Sequence, residues 1–410
     1  MGNIAFCAYL LFTVSWFLHL TVRIQPLGII RFDLLLVAVL FLLKFLNGSD
    51  AGSRTQDDCT RKLNFLVLTI LLITPFAEWP GSVLSRGLPN FVKAVVFFYF
   101  TIWFINSQKK FFIFLATFVG CQTFRLMEPL YLHITQGYWG SKASMANWES
   151  MDRLSGAPSD VVNPNGLAFV VITVLPFLIC LYRVNIYCKI VTFIVTPPAL
   201  YVLMLTGSRS GGLAVLIMGL ILFYISKKKM LYLIGAVLAF FLVLGSLNEV
   251  QLDRYRSVYD SDTKNAATSE GRFAGWGKDI KVAMRRPLFG HGLGTSLEAN
   301  ANFRNNAQRS HNIFIEILQE LGIVGLFMFL MYVRAVIKSL TKNEAGKDNI
   351  CKNTLMPVKS AFTVLALTTF FFGFASYGLS SYEWYLIGGC TVVLNKLLLF
   401  ETNNKLLHDV

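Results

Sequence analysis

Charge is what this sequence is short of. Only 15% of its 410 residues are charged, against 55% hydrophobic, and the mean hydropathy is +0.56. That balance excludes an ordinary soluble domain and indicates a polytopic α-helical membrane protein. Ionisable residues are also missing from the centres of the apolar runs, and no internal repeat is visible. Both absences argue against a transporter, which keeps charges near the midplane and broken helices in repeated halves. Cysteine is missing where it would matter. The seven residues Cys7, Cys59, Cys121, Cys180, Cys188, Cys351 and Cys390 all fall outside the two long polar stretches, 127–163 and 248–310. Neither stretch therefore holds a disulfide, and no CxxC metal spacing occurs. Met1–Phe6 has no cationic region and no cleavage site follows it, so the first apolar stretch is expected to be retained.

What is present is a series of apolar windows. Hydropathy predicts about twelve spans, with cores near 4–22, 27–46, 63–77, 88–106, 110–126, 165–182, 187–205, 211–226, 229–247, 312–337, 357–376 and 383–400. The third stops at Pro75. The expected fold is one all-α transmembrane domain over 1–410 with two long external loops. The net charge of +14 resembles a nucleic-acid footprint until the charges are placed. Many sit in short loops on one side, such as Lys109, Lys110, Lys227, Lys228, Lys229, Arg334 and Lys338. Topology explains these, so no nucleic-acid partner is expected, and the positive-inside rule puts both termini in the cytoplasm. Both long loops then lie outside, because long loops cross largely regardless of their charge.

The second long loop, 248–310, carries ten of the 37 basic residues and leads into Ser310-His311-Asn312 at the head of an apolar helix. Within it, Phe273, Trp276, Ile280 and Ala283 recur at helical spacing, which predicts a short amphipathic helix on the membrane surface or the bundle top. Pro287 ends that helix, and Gly290, Gly292 and Gly294 make a turn. An imidazole at a membrane boundary, fed by an arginine-rich loop, suggests chemistry on an anionic, lipid-borne substrate.

Arg272 with Trp276, Arg286-Pro287-Leu288-Phe289-Gly290-His291-Gly292-Leu293-Gly294, His311-Asn312 and Gly322-Ile323-Val324-Gly325 together resemble the O-antigen ligase and polymerase family. Thr206-Gly207-Ser208-Arg209-Ser210-Gly211-Gly212 and Asn163-Pro164-Asn165-Gly166 resemble further family positions upstream. The resemblance implies an inverting, metal-independent transferase at the periplasmic face of the bacterial inner membrane. Such enzymes need no cofactor and move a glycan from undecaprenyl diphosphate to a sugar hydroxyl. The acceptor is lipid A-core for a ligase and another lipid-linked glycan for a polymerase. The pattern from His311 to Gly325 and the chain length favour the ligase.

The residue chemistry agrees with that expectation. Breaking an anomeric C–O bond leaves charge on a diphosphate, and arginine holds phosphate oxygens bidentately while staying charged. Arg209, after a Gly/Ser-rich turn at a helix N-terminus, and Arg272, near Trp276, are the candidate cations, the alternatives being an interfacial anchor and a solvated surface charge. Trp276 stacks on a sugar or seats its helix. His311 is the candidate general base, with helix capping as the alternative. Asn312 either orients His311 or caps the helix. Asn165 lines the glycan site or helps set a helix start. Glu316 is a lesser candidate base or substrate contact, or a polar contact inside the bundle. At about 100° per residue, Glu316 and Glu320 lie roughly 140° and 180° round the helix from His311, which is poor for orienting it. His291, in its glycine turn, is expected to be exposed, and Arg254, Arg256, Arg285, Arg286, Arg304 and Arg309 to be loop charge. Asp260-Ser261-Asp262 mimics a DxD metal site but falls in an external Ser/Asp-rich loop, away from nucleotide sugars, and no metal site is expected.

Overall fold

Several helices of this chain begin where a side-chain oxygen meets amides that have no helical partner. Asp57 accepts from Cys59 N at 2.9 Å, Asn163 from Gly166 N at 2.8 Å and Asn185 from Cys188 N at 2.7 Å. The computed structural model describes residues 2–46, 57–140, 153–160, 162–225, 266–305, 307–342, 355–376 and 378–408, with isolated positions between 229 and 245. For 266–273 and 401–408 it describes the backbone alone. The main helices are α1 (Gly2–Leu18), α2 (Phe32–Leu46), α3 (Asp58–Ile73), α4 (Leu88–Phe104), α5 (Gln108–Gln136), α6 (Pro164–Leu181) and α7 (Ile186–Leu205). They continue with α8 (Arg209–Ile225), α9 (Ala266–Ala283), α10 (Ser296–Arg304), α11 (Ile313–Thr341), α12 (Leu355–Phe372) and α13 (Glu383–His408). No strand occurs among the described residues.

Among the described residues, eight helical stretches are long and apolar enough to cross a membrane: Asp58–Phe76, Pro80–Phe104, Gln108–Gln136, Pro164–Leu181, Ile186–Leu205, Ile313–Thr341, Leu355–Ala375 and Glu383–Phe400. The expected first, second and eighth spans are described as apolar helices of 17, 15 and 17 residues. The expected span 229–247 lies largely outside the described residues. The third span is present, but α3 stops at Ile73 and a 3₁₀ turn over Thr74–Phe76 takes up Pro75.

The described residues group into two units. The first draws on Met1–Asp50, Trp103–Arg256 and Cys351–Thr368. Its core stacks Tyr9 on Phe114 at 5.2 Å, with Phe177 edge-on to Phe362 at 5.2 Å. Here the sequence expectation needs correction, because α5 runs on to Gln136, well into the stretch expected as loop 127–163. At 1.5 Å per residue it is about 43 Å long, more than the ~30 Å hydrocarbon thickness. The helix continues past Arg125 and Glu128 because both charges are neutralised. Arg23 holds Glu128 through a two-pronged ion pair, and Arg125 is paired with Asp160.

The second unit draws on Ala51–Ile102, Ser257–Ile350 and Thr369–Val410. Within it α11 packs on α3, α9, α10 and α13. Tyr332 of α11 donates to Trp384 O at 2.9 Å and stacks on Tyr385 at 6.2 Å. The expected loop helix is α9, and a second, α10, follows the glycine turn.

Candidate active site

In the first unit the Gly/Ser turn before Arg209 is built from α6, α8 and the segment from Arg153. Ser208 caps α8: its Oγ accepts from Gly211 N at 3.2 Å and its carbonyl from Gly212 N at 3.0 Å. The same hydroxyl donates to Asn165 Oδ1 at 3.1 Å. Arg153 ties the turn down, donating from Nε to Thr206 O at 2.7 Å and from Nη2 to Asn165 Oδ1 at 2.8 Å. Gly211 is small for packing, since a Cβ there would sit 3.0 Å from that of Ala168. Arg209 thus stands half-buried at the head of a capped helix, where the first amides and the macrodipole favour an anion. Asn165 engages Arg153 and Ser208, and Asn163 sets the start of α6.

The same unit holds a pair that hydropathy did not reveal. Arg125 donates to Asp160 from Nε at 2.6 Å and from Nη2 at 3.0 Å, and to Gln122 Oε1 at 3.0 Å. Both members are buried, at 7% and 2% exposure. The available signal was an arginine at the end of an apolar run, which in a membrane helix needs a named partner.

In the second unit the two glycine motifs prove to be one construction. An unbroken α11 would bond Ile323 N to Gln319 O and Val324 N to Glu320 O. At Gly322, with φ 65° and ψ −167°, the helix opens. The chain Pro287–Gly292 then fills the gap. His291 N and Gly292 N donate to Gln319 O and Glu320 O at 2.8 and 2.9 Å, while Ile323 N and Val324 N donate to Pro287 O and Leu288 O at 2.8 and 3.4 Å. Four main-chain groups that a break would orphan are satisfied by exchange. Glycine is required on both sides: a Cβ on Gly322 would strike the Leu288 carbonyl, and one on Gly290 (φ +69°) the Glu320 carbonyl.

His291 is not exposed, contrary to the expectation from its turn. It is fully buried, with Nδ1 2.5 Å from Glu78 Oε2 and Nε2 3.0 Å from Val282 O. Trp79 and Phe303 cover its ring, at centroid distances of 5.8 and 5.5 Å. Docking into the α11 break turns this loop inward, and the carboxylate and the carbonyl satisfy both ring nitrogens.

The buried face of α9 also differs from the expected stripe. Asp279, Val282 and Ala283 point inward, while Ile280 is 40% exposed. Asp279 is drawn in by Arg304, whose Nη1 lies 2.5 Å from its Oδ1. Burial pushes the Asp279 carboxyl up from the ordinary carboxylate value, and the Arg304 charge pulls it back down. Arg304 is therefore not simple loop charge. Nor is Arg286, which donates to Phe76 O at 2.7 Å, or Arg285, which lies 4.3 Å over the Phe303 ring.

His311 is half-buried just ahead of α11, with Gln308 Nε2 3.2 Å from its Nε2. Asn312 is the helix cap, its Oδ1 accepting from Phe314 N at 3.0 Å and Ile315 N at 3.3 Å. Glu316 is fully engaged inside the bundle, accepting from Gly378 N at 2.5 Å at 2% exposure. That contact supports the bundle reading over a substrate contact. Trp276 is half-buried on α9. Arg272 lies on the α9 backbone, and its side chain is outside the described residues, as are Asp260, Asp262, Arg254 and Arg256. The sequence reading missed Arg153, Asp279, Asn300, Gln319 and Glu78. Isolated amides and single charges in polar stretches carry no periodic or motif signal.

No curated protein matches the chain. Residues 192–330, which include Arg209, Arg272, Trp276, His311, Asn312 and Glu316 but not Asn165, match a family model described as O-Antigen ligase.

Proposed function

We propose that this chain, a member of the O-antigen ligase family through residues 192–330, transfers a glycan from undecaprenyl diphosphate to a sugar hydroxyl of lipid A-core at the periplasmic face of the bacterial inner membrane. That match supports a lipid-linked glycan transferase of the ligase or polymerase type. The observation that carries the reading is His311, half-buried at the head of a capped membrane helix and inside the matched segment.

In the proposed reaction His311 accepts the proton of the acceptor hydroxyl, whose oxygen attacks the anomeric carbon. The C–O bond to the diphosphate breaks on the opposite face, so the anomeric configuration inverts. The electron pair leaves with undecaprenyl diphosphate, and Arg209 and Arg272 are the cations assigned to that charge. The proton on the imidazole then passes to solvent. Trp276 is assigned to a sugar ring. Asn165, Asn312 and Glu316 act as supports, each being engaged by protein groups.

Purified protein incubated with undecaprenyl-diphosphate glycan and lipid A-core, followed by mass spectrometry, tests this. Glycan joined to lipid A-core is the expected product. Chains lengthened on undecaprenyl diphosphate would instead identify a polymerase, and movement across vesicles with no new linkage would identify a transporter. In the active system His311→Ala is expected to lower turnover by roughly 10²–10⁴-fold. Full activity in a folded His311→Ala protein would remove the general-base role.

A further inference from the structure

The segment just before His311 rests on two fully buried amides. Gln319, on α11, donates from Nε2 to Asp279 O at 3.1 Å and to Asn300 Oδ1 at 2.9 Å. Asn300, on α10, donates from Nδ2 to Gln308 O at 2.8 Å. Both side chains are at 0% exposure. Their orientations are not interchangeable. Main-chain carbonyls stand at either end of the relay, at Asp279 and Gln308, and a carbonyl can only accept. Each amide must therefore present its nitrogen to its own carbonyl, which leaves Asn300 Oδ1 facing Gln319. The far end of the relay, Gln308, is three residues before His311, and its side-chain amide lies 3.2 Å from the imidazole Nε2.

We propose that Asn300 and Gln319 are positioning residues for His311: their paired amides fix the main chain at Gln308 against α9 and α11 and so set where the imidazole stands. This rests on the reading of His311 as the base. Neither amide reaches solvent, so neither contacts substrate, and their effect on the proposed base passes through Gln308. The helix break adds to the arrangement. The carbonyl of Gln319 accepts from His291 N, so its residue is held from the main chain and the side chain together.

The test uses Asn300→Ala and, as a second variant should the first fold poorly, Gln319→Met, which keeps the volume and removes the donor. Each is expected to lower kcat roughly 10–100-fold with KM changed by no more than about twofold, because misplacing a catalytic group by about 1 Å has that effect. In a His311→Ala background Asn300→Ala is expected to add no further loss, since coupled residues are not additive. A readout independent of turnover is carbethoxylation of His311 by diethyl pyrocarbonate, followed on its peptide by mass spectrometry with His133 as the control. The variants are expected to change the His311 rate and leave that of His133 unchanged. Unchanged labelling of His311, or a kcat equal to the parent in a folded variant, overturns the proposal. A His311→Ala protein that keeps its activity, alongside altered labelling in Asn300→Ala, would instead remove the base assignment and leave the positioning supported.

Discussion

The turn before Arg209 and the turn carrying His291 are both polar loops buried against helices, and they are held in opposite ways. In the first, side chains do the holding. Arg153 reaches Thr206 O and Asn165, and Arg125 grips Asp160 from α5. In the second, the main chain does it, with Pro287–Gly292 exchanging four hydrogen bonds with the opened α11. The difference lies in which residues are irreplaceable. A loop anchored by side chains depends on charge. A loop docked through its main chain depends first on the absence of Cβ atoms.

Arg125→Met leaves the Asp160 carboxylate buried without its partner and is expected to cost about 3–5 kcal/mol. Thiol-labelling melts read this regionally, because Cys121, one turn from Arg125, is 6% exposed in the first unit. The double variant Arg125→Met/Asp160→Leu should regain most of the loss. If it does not, the pair matters for more than its mutual neutralisation.

Gly290→Ala should strike the second unit alone. The left-handed φ costs roughly 1–2 kcal/mol and the approach to the Glu320 carbonyl roughly 1–3 more. Labelling of Cys59 and Cys390, exposed at 1% and 0%, is expected to begin at lower temperature while that of Cys121 keeps its midpoint. Equal loss at all three thiols would show that the two loops are not held independently.

The smallest effect sharpens the assignment of Asn312. Its Oδ1 is engaged by two helix amides, so Asn312→Ala is expected to cost about 1 kcal/mol, and Asn312→Ser much less. Transfer activity retained in Asn312→Ser, in the assay with undecaprenyl-diphosphate glycan, would mark the residue as a cap. A rise in KM with unchanged melting would mark it as a substrate contact.

Much of this protein was legible before folding. Hydropathy located the long helices, since a stretch without charge has nowhere else to go than apolar surroundings. The segment around Phe273–Ala283 read as a helix, and Asn163-Pro164 read as a helix start, because capping and periodicity are local. The end of α5 did not read correctly. Arg125 and Glu128 look like the end of a span until Asp160 and Arg23, 35 and 105 residues away in sequence, neutralise them. The inward face of α9 was misread for the same reason, since Asp279 is admitted to the interior only with Arg304 beside it.

The sequence by itself determined an all-α chain of apolar helices, the order of its motifs, and His311 and Arg209 as residues standing where polar loops meet helices. Each of these follows from interactions within a few residues. Only the tertiary structure decided that the glycine turn closes the break in α11, that His291 is buried on Glu78, and that Asn300 and Gln319 lie behind His311. Those are hydrogen bonds between groups far apart in sequence. A buried donor or acceptor must find a partner, but nothing local states which one.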